Sequence, residues 1–175
     1  MEKLGTALLK KSNGIIDLSA ITRANGYPSS ERFSKGPVPI IECVEEIPCN
    51  PCETVCNRNL IKVGKPITNC PVLVDPDGGC TGCAQCIVIC PGLAVFVIDK
   101  THSAGEASIA LPYEELPLPG KGEKILGVDR GGNNVCEGYV HSVLFGKRLN
   151  HTNVVTIVVP IEYADDVRYL RRSES

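Results

Sequence analysis

Apolar residues in this chain come in short bursts separated by Gly, Pro, Asn and Ser, not in the long three-to-four spacing of extended helices. Ile40-Ile41, Leu60-Ile61-Lys62-Val63, Val72-Leu73-Val74 and Val95-Phe96-Val97-Ile98 predict four short strands. Farther along, Glu123 to Asp129 and Asn134 to Phe145 predict a hairpin turning at Gly131-Gly132-Asn133, and Thr152 to Val159 a third strand. The stretch from Leu111 to Gly120, punctuated by Pro112, Pro117 and Pro119, reads as a crossing linker, and Glu162 to Arg172 as a short closing helix. Near the start, Leu4, Ala7 and Leu8 have helical spacing, and Ser19 to Ala24 predicts another turn of helix.

Composition narrows these elements to a class. A length of 175 residues suits one domain with a small appendage, and 17 Gly with 13 Pro favour short elements over a helical bundle. Aromatics are only 5% and Trp is absent, so the core must rest on Val, Ile and Leu. No apolar run approaches the roughly 20 residues that span a bilayer, and Lys10-Lys11 leads into Ser12-Asn13-Gly14 instead of a signal-peptide core. The expectation is a soluble, unexported, cytoplasmic protein without a membrane partner. With 18 basic residues against 20 acidic ones there is no basic excess to bind nucleic acid.

Ten cysteines in such a chain point to metal rather than disulfides, because a disulfide framework needs an oxidising compartment. All but Cys136 lie between Cys43 and Cys90. Residues 80 to 91 read Cys-Thr-Gly-Cys-Ala-Gln-Cys-Ile-Val-Ile-Cys-Pro, the C-x2-C-x2-C-x3-C-P run of bacterial iron-sulfur proteins. Three thiolates at this spacing wrap a tight loop around one face of a cubic cluster, Gly82 permits close backbone approach, and the fourth thiolate leaves with the chain. Zinc sites pair two C-x2-C knuckles across a longer gap, which four cysteines in so short a run fit poorly.

A shift of 34 residues superposes the preceding segment on this run: Pro37 falls on Pro71, Val38 on Val72, Cys49 on Cys83, Cys52 on Cys86, Cys56 on Cys90 and Val63 on Val97. The repeat predicts two half-modules, each a strand, a cysteine loop, a short helical turn and a return strand, together a pseudo-symmetric two-cluster ferredoxin fold. The first half departs from the pattern, for Glu46 stands where a cysteine is expected and Asn57 where the Pro is expected. Cys43 is the nearest substitute, giving C-x5-C-x2-C-x3-C; Cys70, equivalent to Gly36, is the rival. Cys136 reads as a small apolar side chain, and His102, His141 and His151 are too dispersed for a Rieske centre. Gly120-x-Gly122 is no dinucleotide fingerprint, and no nucleophile stands beside a general base.

The run Glu42 to Glu53, followed by Cys80 to Pro91 and Gly92-Leu93-Ala94, resembles the small two-cluster ferredoxin-like subunits of multi-subunit FAD-dependent amino-acid dehydrogenases, relatives of proline and hydroxyproline dehydrogenase, octopine oxidase and sarcosine oxidase. The repeat and the elements around it predict an α+β fold: an N-terminal arm (1–36), a ferredoxin-like domain with two [4Fe-4S] clusters (37–100), a Pro-rich linker (101–122) and a small antiparallel β module with a terminal helix (123–175); the resemblance covers roughly residues 28 to 170. It implies a non-catalytic electron-transfer subunit whose partners are flavin-containing dehydrogenase subunits. In such ferredoxins the fourth cysteine of each run serves the other cluster, which assigns Cys43, Cys49, Cys52 and Cys90 to one and Cys80, Cys83, Cys86 and Cys56 to the other. Two such clusters would take the net charge from −2 to about −6. A diffusible ferredoxin, a zinc-stabilised binding module and a redox sensor are the competing readings. Residues 1–36 hold too little apolar surface for a core of their own, and read either as a leader packed back on the cluster domain or as an arm around a partner.

Overall fold

The computed structural model describes residues 15–75, 77–146, 149 and 152–173. The helical spacing at Leu4, Ala7 and Leu8, Lys10-Lys11 and His151 lie outside the described residues. Two short helices come first, α1 (Leu18–Asn25) and α2 (Ser30–Phe33). Asp17 caps α1, its Oδ1 accepting the Ala20 N–H at 2.7 Å. There follow β1 (Val38–Ile41), α3 (Pro51–Val55), β2 (Ile61–Lys62), β3 (Val72–Leu73) and α4 (Gln85–Val88). The rest is almost wholly strand: β4 (Val95–Ser103), β5 (Glu106–Tyr113), β6 (Lys124–Val128), β7 (Asn134–Leu144), β8 (Asn153–Pro160) and β9 (Tyr169–Arg172).

The 34-residue repeat is visible in these elements. Val38 opens β1 and Val72 opens β3, Pro51 opens α3 and Gln85 opens α4, Ile61 opens β2 and Val95 opens β4. The halves are crossed. β1 pairs antiparallel with β4, Val38 opposite Ile98 and Ile41 opposite Val95, while β2 pairs antiparallel with β3, Ile61 opposite Leu73.

The expected α+β ferredoxin-like fold with a separate arm and β module is not what forms. The protein is mostly antiparallel β, with one seven-stranded sheet ordered β1-β4-β5-β8-β7-β6-β9 beside the two-stranded β2-β3. The physical cause lies in two strands. β4 does not stop at Ile98 but continues to Ser103 and turns at Gly105 into β5. Glu106 to Tyr113 carries Ala107, Ile109, Leu111 and Tyr113 on one face, the period-2 pattern of a buried strand. Pro112, which made this stretch read as linker, lies where β5 is paired with β8 alone. The expected helix from Glu162 to Arg172 is instead a 3-10 turn, Ile161–Tyr163, followed by β9 on the edge of β6, with Leu170 buried. Edge pairing together with burial of Leu170 outweighs helical propensity there.

Alternation along the strands gives the sheet two functional faces. Phe96 and Ile98 of β4, Ile109 and Leu111 of β5, and Val155, Ile157 and Val159 of β8 enter the main core, which Phe33 of α2 also joins. Val95, Val97, Ala110 and Val154 point to the other face and pack with Ala84, Ile87 and Val88 of the α4 region, against which Cys80, Cys86 and Cys90 lie. The cysteine layer is thus laid on the back of the sheet.

Two buried charge clusters pin the layer in place. In α2, Arg32 reaches the Asp75 carboxylate through Nε at 3.0 Å, and both side chains are almost completely buried. Glu42, just past β1, accepts from Arg130 in the β6–β7 turn, Nη2 to Oε1 at 2.6 Å, and from Arg168 before β9. Deleting one member leaves buried charge uncompensated, so Glu42→Ala should lower stability by about 3–5 kcal/mol. Urea unfolding followed by circular dichroism checks this, and a loss below about 1 kcal/mol, the scale of an exposed pair, would show that this seam is not structural.

Candidate iron-sulfur centres

Each cysteine loop leads off a strand and into a short helix. Cys43 follows β1 by one residue, Cys49 precedes α3, Cys52 stands in its first turn beside Pro51, and Cys56 ends it. In the second half Cys80 and Cys83 precede α4, Cys86 lies within it and Cys90 follows it. Pro51 suits the first helical turn because its missing N–H has no partner to lose there.

The exit turns of the two halves are alike. Asn59 donates its N–H to the Cys56 carbonyl at 2.8 Å, and Leu93 to the Cys90 carbonyl at 3.3 Å. Asn59 and Leu93 both sit in the left-handed region, at φ 55° and 51°. One residue later the Leu60 N–H points at Cys56 Sγ, 3.4 Å away, and the Ala94 N–H at Cys90 Sγ, 3.5 Å away. Gly82 similarly donates to Cys80 Sγ at 3.4 Å. At Cys80 the Gly82 N–H opposes the upward push of burial and so favours the thiolate, the form that binds metal.

Four thiols surround each of two cavities. Cys43, Cys49, Cys52 and Cys90 line one of about 230 Å³, together with Ile16, Val44, Ile47 and Pro71. Cys56, Cys80, Cys83 and Cys86 line the other, of about 280 Å³, with Leu60, Ile61 and Val97. Each cavity draws three cysteines from one half of the repeat and one from the other. Cys70 is among the lining residues of neither cavity. Cys136 lies on β7 facing Gly127 of β6, where an added Cβ would come within 2.8 Å of its Sγ. No spacing announces that His102 and His141 meet edge to face, ring centres 5.0 Å apart. Nor did any spacing mark Asn25, Arg32 or Glu42, since a single polar residue that clamps a loop has no periodicity.

Burial dominates the electrostatics. It pushes the Cys52 thiol up to about 11, aided by the neighbouring Cys90, Cys43 and Cys49, and the Cys86 thiol up to about 12, aided by Cys80, Cys83 and Cys56. Burial also raises Cys43 and Cys80, against the opposing backbone N–H groups of Glu45 and Gly82. Four thiolates crowded out of water are costly, and bound cationic metal removes that cost.

Among the described residues no group of three or more His, Cys, Asp or Glu side chains stands close enough to hold a metal ion as placed. Four soft thiolate donors lining one cavity are a donor set that an iron-sulfur core can take. No protein-family model, curated protein or solved structure matches this chain. Among the described residues no helix is long and apolar enough to cross a membrane.

Protons compete with metal for thiols held this high. Metal loss to a chelator should therefore accelerate as pH falls from about 8 to 6, because the returning protons meet thiols whose neutral form burial favours. Absorbance decay of the loaded protein at several pH values measures it, and a pH-independent rate would contradict this electrostatic picture.

Proposed function

We propose that this chain is an electron-transfer iron-sulfur subunit that holds two [4Fe-4S] clusters and works beside flavin-containing dehydrogenase subunits of the amino-acid-oxidising kind. The observation that carries the reading is the sorting of eight cysteines into two sets of four, each set closed by one cysteine from the other half of the repeat. When bound, each cluster accepts and releases one electron at a time, which lets an electron pair from a flavin pass on singly.

The residues of this chain supply the rest. The thiolates hold and orient the metal, and the N–H groups of Leu60, Gly82 and Ala94 stabilise sulfur charge. Ile41, Ile61 and Val63 form one buried apolar cluster with Cys52, against which Cys43 of the first set and Cys86 of the second both pack. Through this cluster cysteines of both sets meet the same apolar side chains. No disulfide joins any of the ten cysteines, which suits a reducing compartment, and we place the protein in the cytoplasm. The flavoprotein partner rests on the resemblance of residues 42–53 and 80–94 to such small subunits.

Crossed ligation has a spectroscopic consequence. Cys56→Ser should alter the same paramagnetic centre as Cys83→Ser, and Cys90→Ser the same centre as Cys49→Ser and Cys43→Ser, while Cys70→Ser spares both. Electron paramagnetic resonance of the reduced variants reads this out. If Cys56→Ser tracked Cys49→Ser, each run would serve its own cluster and the crossed scheme would fail.

A further inference from the structure

The first cysteine loop carries a problem that the second does not. Its opening spacing is C-x5-C instead of C-x2-C, so Cys43 is tethered to Cys49 by a longer, irregular segment, 44–48. Longer loops hold a side chain less firmly unless something outside them does so.

Helix α1 provides that hold. Its Ala20 and Ala24, small enough for close approach, bury Val44, which is only 2% exposed. At the end of the helix Asn25, with no exposed surface, donates both amide protons: one to the Cys43 carbonyl at 2.7 Å and one to the Pro71 carbonyl at 2.8 Å. Cys43 and Pro71 are both walls of the first cavity, and Ile16, just before α1, is a third. One buried amide therefore fixes the spacing between two sides of the same site.

Asn25 is a poor choice for stability alone. Its Oδ1 has no hydrogen-bond partner among the described residues, and a buried acceptor left unpaired costs stability that an apolar side chain of the same shape would not. What an apolar residue could not do is hold two carbonyls from separate segments, one after β1 and one just before β3.

From this geometry we infer that Asn25 is a positioning residue for the first centre: it fixes the Cys43 backbone so that its thiolate meets the metal despite the missing cysteine at position 46. The segment 15–25 is then a component of the site. This rests on the two-cluster reading above.

The test uses the loaded full-length protein and the variants Asn25→Leu, which keeps the shape and removes both donors, and Asn25→Asp, which turns the donors into acceptors facing two carbonyls. Chelator challenge should bleach the first centre, the one altered by Cys49→Ser, about 10-fold or more faster than in the wild type, the scale of a lost outer-shell contact. The second centre, the one altered by Cys83→Ser, should bleach at its wild-type rate and so serve as the internal measure of folding. Unchanged rates at both centres, or equal acceleration at both, would overturn the inference while leaving the two-cluster reading standing. Wild-type protein that binds no iron would instead overturn that reading and this inference with it.

Discussion

Eight cysteines can enclose two cavities in this chain only because each half of the repeat lends its return strand to the other. β4, which carries the chain away from Cys90, pairs with β1, which delivers Cys43; β2, which carries it away from Cys56, pairs with β3 of the second half. Were each half to pair with itself, Cys56 and Cys90 would return to their own loops. The crossing is thus both the folding constraint and the reason that each cavity has four thiols. It couples the two sites, since neither cavity is complete until both strand pairs have formed.

That crossing leaves β4 with its outer edge used by β1 and its inner edge open, and the chain closes the inner edge with β5. From there the sheet grows through β8, β7 and β6 to β9. The growth gives the cysteine layer a rigid back, because Val95 and Val97 face the thiols while Phe96 and Ile98 face the main core. Glu42 ties the layer to the far end of the same sheet through Arg130 and Arg168. On the proposed function, such a mounting would keep the ligands in place during electron exchange.

The two cysteine runs are legible in the sequence because spacing marks them, in the run from Cys80 to Pro91 and in the superposition of Cys49, Cys52 and Cys56 on Cys83, Cys86 and Cys90, whereas the choice of Cys43 and the exchange of Cys56 and Cys90 between runs do not follow from spacing. The fold class was misread for a local reason. Pro112, Pro117 and Pro119 drew attention away from the alternation of Ala107, Ile109 and Leu111, and without β5 the cysteine segment and the C-terminal strands look like separate units. The last strand was missed because Leu170 is shared by a helical and an extended reading, and only the open edge of β6 decides between them. The buried clamps, Asn25, Arg32 with Asp75, and Glu42, lay beyond any pattern, since they join residues 18 to 126 positions apart. Within residues 15–36, Ala20 and Ala24 pack on Val44 of the first cysteine loop and Phe33 joins the main core.

The central claim is that the thiols of two interlocked half-modules hold two four-iron clusters. Iron and acid-labile sulfide determined on the native protein, isolated without oxygen, test it most directly. The account predicts about eight iron and eight sulfide per chain, with negligible zinc. Zinc without sulfide, or four iron per chain in a preparation that has not lost metal, would contradict it.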